Sequence, residues 1–208
     1  MKKTLTRVAL AASIATFSFG ALAVENANFN ATVTVQNAFT LTNDSDLNFG
    51  TIRASADTAG ATSASITVSS NPATSATTLN GTDSIIAELV AGSPATFSVS
   101  GASAFAYLTF DLTNATGDIT SVSPAPAGTA FFKVSATSIR VLTCDNANTN
   151  LDLTDLTVTA GKLQVDGSGA ATFSMGATLT TSNNTGDSTT LDYIDGEYSG
   201  TFEVTLEY

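Results

Sequence analysis

The chain has 208 residues, 43% of them apolar and 12% charged, with no His, no Trp and a single Cys. Seven Lys and Arg stand against 18 Asp and Glu, a formal charge of −11. Without His there is no Ser-His-Asp triad and no His-ligated zinc, one Cys cannot make an intramolecular disulfide, and the acidic balance opposes binding to nucleic acid or anionic lipid.

Residues 1–23, MKKTLTRVALAASIATFSFGALA, have the form of a secretory signal peptide. Lys2, Lys3 and Arg7 precede an apolar stretch, residues 8–19, and Ala21-Leu22-Ala23 is a small-x-small cleavage site, placing the cut between Ala23 and Val24. The stretch is shorter than the roughly 20 residues of a membrane span. No second stretch of that length follows, so no integral membrane segment is expected after signal removal. Three of the seven basic residues lie in the signal, so the remainder has four basic against 18 acidic residues, formally −14. These features predict a secreted protein, in the periplasm in transit to the cell surface or outside the cell.

Residues 24–37 form an N-terminal extension. Ala27, Phe29, Ala31, Val33 and Val35 alternate with Asn28, Asn30, Thr32 and Thr34, the period of a half-buried strand. From residue 38 onward, short alternating runs are separated by turn residues, which predicts an all-β sandwich over residues 38–208. The expected strands are 28–35, 47–52, 64–70, 84–90, 95–101, 105–112, 130–136, 138–144, 156–160, 161–167, 170–181 and a final strand, 198–208. Asn80-Gly81, residues 114–118 and Asp166-Gly167 read as turns, and residues 121–130 as a loop. Pro72, Pro94, Pro124 and Pro126 all fall between runs, where a missing N–H harms no ladder.

The final strand, YSGTFEVTLEY, is the most regular. Tyr198, Phe202, Val204, Leu206 and Tyr208 share one face with Gly200, and Ser199, Thr201, Glu203, Thr205 and Glu207 take the other. Both ends of the exported chain are therefore strand-forming. A strand on an open edge offers unpaired N–H and C=O groups to another chain, so such edges must be covered or used.

No catalytic motif is found, and the chain is read as a non-enzyme without cofactor. Cys144, at the end of SIRVLTC, is read as a small buried hydrophobe. In DNANTNLDLTD (145–155), Asn146, Asn148, Asn150 and Asp152 alternate as in a calcium loop. Leu151 stands where such a loop needs Gly, and Thr157 where it needs a bidentate Glu, so a solvated Asx-rich turn is expected and no metal ligand is assigned.

LNFGTI (47–52), GSGAATFSMGATL (167–179) and the closing GEYSGTFEVTLEY (196–208) together resemble a bacterial family known as a domain of unknown function. They also resemble the β-subunits of chaperone–usher pili and the spore coat U group. The resemblance implies an immunoglobulin-like sandwich open at one edge, with an N-terminal extension of a neighbouring subunit filling the opening by strand addition. Carried onto this chain, the donor is the segment holding Ala27, Phe29, Ala31, Val33 and Val35. The opening is flanked by the C-terminal edge strand of Phe202, Val204, Leu206 and Tyr208. The implied partners are further copies or related subunits, with a periplasmic chaperone gripping the carboxylate of Tyr208 before assembly. NAFTLT, after the donor, lacks the Cys many pilins carry there. The expected function is an exported structural subunit of a surface fibre, pilus or coat. The alternatives are a stand-alone secreted adhesive or calcium-binding β-domain and, on its aromatic-ended final strand, an outer-membrane β-barrel.

Overall fold

A computed structural model describes residues 30–33, 38–141, 152–153 and 162–208. The expected signal, its cleavage pair Ala23 and Val24, donor positions Ala27, Phe29 and Val35, Cys144 and the strand at 156–160 lie outside the described residues. Residues 1–35 form a unit distinct from 36–208. Of the first unit, residues 30–33 are described; they hold no regular secondary structure, and Val33 is 86% exposed.

The second unit is built from β1 (Thr40–Ser45), β2 (Thr51–Ser55), β3 (Ser65–Val68), β4 (Thr77–Leu79), β5 (Ile85–Val90), β6 (Ala95–Ser100), β7 (Tyr107–Asp111), β8 (Thr116–Ser121), β9 (Phe132–Val141), β10 (Asp152–Leu153), β11 (Lys162–Gln164), β12 (Ala171–Thr181), a one-turn helix α1 (Asn184–Asp187), β13 (Tyr198–Ser199) and β14 (Thr205–Glu207). All pairings among these strands are antiparallel. The largest sheet has the order β1-β6-β12-β9-β8-β13, with β10 on β9, and β3 on β12 followed by β4. A three-stranded sheet, β11-β7-β14, and a two-stranded sheet, β2-β5, complete the sandwich-like all-β fold.

Two apolar clusters lie along this framework. The first joins Val99, Ile139 and Phe173 of the large sheet to Leu108, Phe110, Leu163 and Leu206 of the three-stranded sheet. At its centre Phe173 stacks on Phe97 and meets Phe110 edge to face, each pair of ring centroids 5.0 Å apart. The second cluster gathers Ile66, Ile86, Phe132, Val134 and Leu179, with Phe49, Tyr193 and Phe202 packed against it. Strands β9 and β12 serve both clusters. Alternation along β12 sends Phe173 and Met175 into the first and Ala177 and Leu179 into the second.

Several expectations are corrected here. Residues 130–136 and 138–144 are not two strands: β9 runs unbroken from Phe132 to Val141. Ser138 pairs with Gly176 but Ala136 with Ala177, so Thr137 is bulged out. One extra residue flips the inward parity from Val134 and Ala136 to Ile139, which in sequence imitates a strand break. The turn expected at 114–118 lies at 112–115, closed by the Ala115 N–H donating to Leu112 O at 2.9 Å, and the mostly solvated β8 starts at Thr116.

The final strand is also not continuous. Tyr198 and Ser199 pair with β8 in the large sheet, whereas Thr205 to Glu207 pair with β7 in the three-stranded sheet. The partner strands make the same crossing: β7 and β8 are consecutive strands of different sheets, joined through residues 112–115. The last eleven residues follow that bend as the second rail of one antiparallel ribbon. Gly200 takes the tightest point, where Asp118 O lies 2.6 Å from the position a Cβ would occupy. Phe202 therefore belongs to neither β13 nor β14 and packs against the second cluster.

The FG motif performs a similar transfer. Asn48 exchanges backbone hydrogen bonds with Ser93, at 2.9 and 2.7 Å, and its side chain accepts the Gly50 N–H at 2.7 Å. Gly50 has φ +79°, and a Cβ there would overlap the carbonyl oxygen of Val90. Only glycine fits this point, where the chain leaves β1 for β2.

Candidate functional site

The chemistry-bearing candidates are strand edges. Among the described residues β1 has one strand partner, β6, and β14 has one, β7. The two edges belong to different sheets, yet they close over the same core. Leu206 is part of the first cluster, and Phe39, Leu41 and Val204 pack against it.

Their relative direction follows from ring contacts. Leu206 is opposite Phe110, Phe110 meets Phe173, Phe173 stacks on Phe97, and Phe97 is opposite Asn43 of β1. Just beyond β14, Tyr208 meets Phe39, just before β1, with centroids 5.5 Å apart and planes at 76°. Strand β14 thus ends where β1 begins, and the two run in opposite senses on one side of the sandwich. Tyr208 is fixed further by the Ser103 N–H, which donates to its hydroxyl at 3.1 Å.

Of the expected edge residues, the structure brings Val204, Leu206 and Tyr208 together and places Phe202 elsewhere. It adds Phe39 and Leu41, which sequence reading missed. TLTNDS carries a single apolar residue, Leu41, because the strand lies at the margin with one side chain turned inward and the rest solvated. The available signal was Phe39-x-Leu41, two apolar residues at strand spacing before a polar run. Of the donor positions, Ala31 and Val33 are described, both exposed.

The polar groups elsewhere organise loops. Asp57 accepts hydrogen bonds from the N–H groups of Ala59, Gly60 and Thr62 and from the Thr62 hydroxyl, at 2.6–3.1 Å. The Thr62 N–H leads the donors that hold its carboxyl down to about 2. Asp166 accepts from Ser168 and Ala170, the Ala170 N–H foremost, and Asp111 accepts from Thr113, the hydroxyl foremost; both carboxyls are lowered. Burial raises the Tyr193 phenol, which stacks on Phe132 at 4.2 Å and donates to Phe131 O at 2.9 Å. Both oxygens of Asp57 are engaged by its own loop, whereas Asp111 and Asp166 each accept through Oδ1. Among the described residues no three His, Cys, Asp or Glu converge as metal ligands, and no helix is long and apolar enough to cross a membrane.

Residues 39–208 match the family described as "Domain of unknown function (DUF4402)", and the chain belongs to that family. No curated protein and no solved structure matches it.

Proposed function

We propose that the protein is an exported structural subunit of a surface fibre, pilus or coat, assembled by strand addition. The observation that carries this reading is that β1 and β14, each with one strand partner among the described residues, border the same core in different sheets. A strand added there gains backbone hydrogen bonds and can set alternate apolar side chains against Leu41, Val204 and Leu206. The extension of another copy supplies such a strand in Ala27, Phe29, Ala31, Val33 and Val35. No residue is assigned a catalytic role. The signal-like leader and a formal charge of −14 on the remaining chain support export and a soluble, mutually repelling precursor.

The test is deletion of residues 24–35 from the exported protein. The truncated protein keeps the β-rich circular dichroism and cooperative melting of the parent and stays monomeric at concentrations where the parent associates. Electron microscopy of the parent shows filaments. Loss of the fold on deletion assigns the segment to its own domain, and assembly that survives deletion removes it as donor.

A further inference from the structure

Phe105 and Tyr107 are large aromatics that neither cluster uses, 60% and 56% exposed. Tyr107 faces away from the core, since Leu108 and Phe110 take the inward positions of β7. Phe105 has φ +58°, a left-handed conformation that a bulky residue adopts at a cost. Its ring lies against Gly167, 3.0 Å from where a Cβ would sit. Gly167 covers only part of that ring, and the exposed remainder has no account within the two clusters.

Its location supplies one. Ser103, two residues before Phe105, is bound to the Tyr208 hydroxyl, and Tyr208 rests on Phe39. Phe39, Tyr208, Phe105 and Tyr107 thus stand at the end of the sandwich from which the N-terminal extension leaves. Only residues 36–38 separate Val35 from Phe39. At 3.3–3.6 Å per residue, the four steps from Val35 to Phe39 reach at most about 14 Å. A copy whose residues 27–35 lie along a neighbour's edges therefore holds this end of its own body, and no other, against that neighbour.

Resting on the strand-addition reading, we infer that the aromatic end formed by Phe39, Tyr208, Phe105 and Tyr107 is a body-to-body contact covered by a second copy of the chain. The added strand and this surface act as two linked parts of one interface. The short tether gives the second a high effective concentration once the first is engaged.

The test uses the full exported chain with Cys144→Ser, which removes its only thiol, and Tyr107→Cys as a reporter. Val33→Asp in the same background supplies the unassembled control. Maleimide labels the introduced thiol at least tenfold more slowly in the assembling chain than in the Val33→Asp chain. In parallel, Phe105→Asn with Tyr107→Thr, exposed changes of which Asn suits the left-handed backbone, raises the concentration for half-assembly at least tenfold with the same melting temperature. Equal labelling rates, at a concentration where sedimentation shows the Tyr107→Cys chain assembled and Val33→Asp has blocked assembly, overturn the inference and leave strand addition standing. Assembly that survives Val33→Asp overturns strand addition, and the inference with it.

Discussion

Phe39 and Tyr208 meet edge to face at 5.5 Å, one ring leading into the large sheet and the other closing the three-stranded sheet. Strands β1 and β14 share no strand pairing, so this contact is a side-chain clasp between two edges. Edge-to-face pairs contribute about 0.5–1.5 kcal/mol beyond their area. A double-mutant cycle on Phe39→Ala and Tyr208→Ala, read by urea denaturation, yields a coupling in that range. Strict additivity of the two changes would show that the rings act independently.

Val33 separates assembly from folding. It is 86% exposed, so Val33→Asp leaves the melting temperature of the single chain unchanged. If Val33 fills a neighbour's core, the change removes a burial of roughly 1.5–3 kcal/mol and adds the desolvation of a carboxylate. Association then weakens at least tenfold in sedimentation velocity. A drop in melting temperature without loss of association would assign Val33 to its own domain.

The period-2 alternation made β3, β6 and β7 legible, because each turns every second residue toward the core. Sheet membership was not legible. Residues 198–208 keep perfect alternation while passing from one sheet to another, since an extended chain following a bent partner changes neighbours without changing parity. The bulge at Thr137 had the opposite effect, breaking the parity of a continuous β9. Strands β1, β4 and β8 went unread because they bury too little to leave a pattern: β8 buries one residue of six, and each side chain of TTL in β4 is exposed. Half of the candidate site was therefore visible, in Val204, Leu206 and Tyr208. The other half, Phe39 and Leu41, needed the fold to set it beside them.

Asp57 makes the fold acid-sensitive. Its carboxyl falls from 3.8 to about 2 because N–H and hydroxyl donors favour the charged form. A group depressed in the folded state contributes stability above its unfolded value and loses it as pH falls through the folded one. Melting temperature therefore declines between about pH 4 and pH 2. Asp57→Asn lowers it at pH 7 and flattens that decline. Asp111 and Asp166, shifted in the same direction, leave a residual slope. An unaltered pH profile in Asp57→Asn would remove this loop as the source.

Gly50 and Gly101 separate two costs that the FG motif combines. Both have left-handed backbones, with φ +79° and +77°. A Cβ on Gly101 meets nothing within 4 Å, whereas one on Gly50 runs into the Val90 carbonyl. Gly101→Ala bears only the crowding of its Cβ against the carbonyl oxygen in the left-handed backbone, about 1–2 kcal/mol. Gly50→Ala adds overpacking of about 1–3 kcal/mol, because the oxygen it meets is backbone and cannot swing aside. Guanidinium denaturation of the two variants gives that difference directly. If the two lose equally, the crossing from β1 to β2 is loose enough to yield, and the glycine of LNFGTI serves the turn alone.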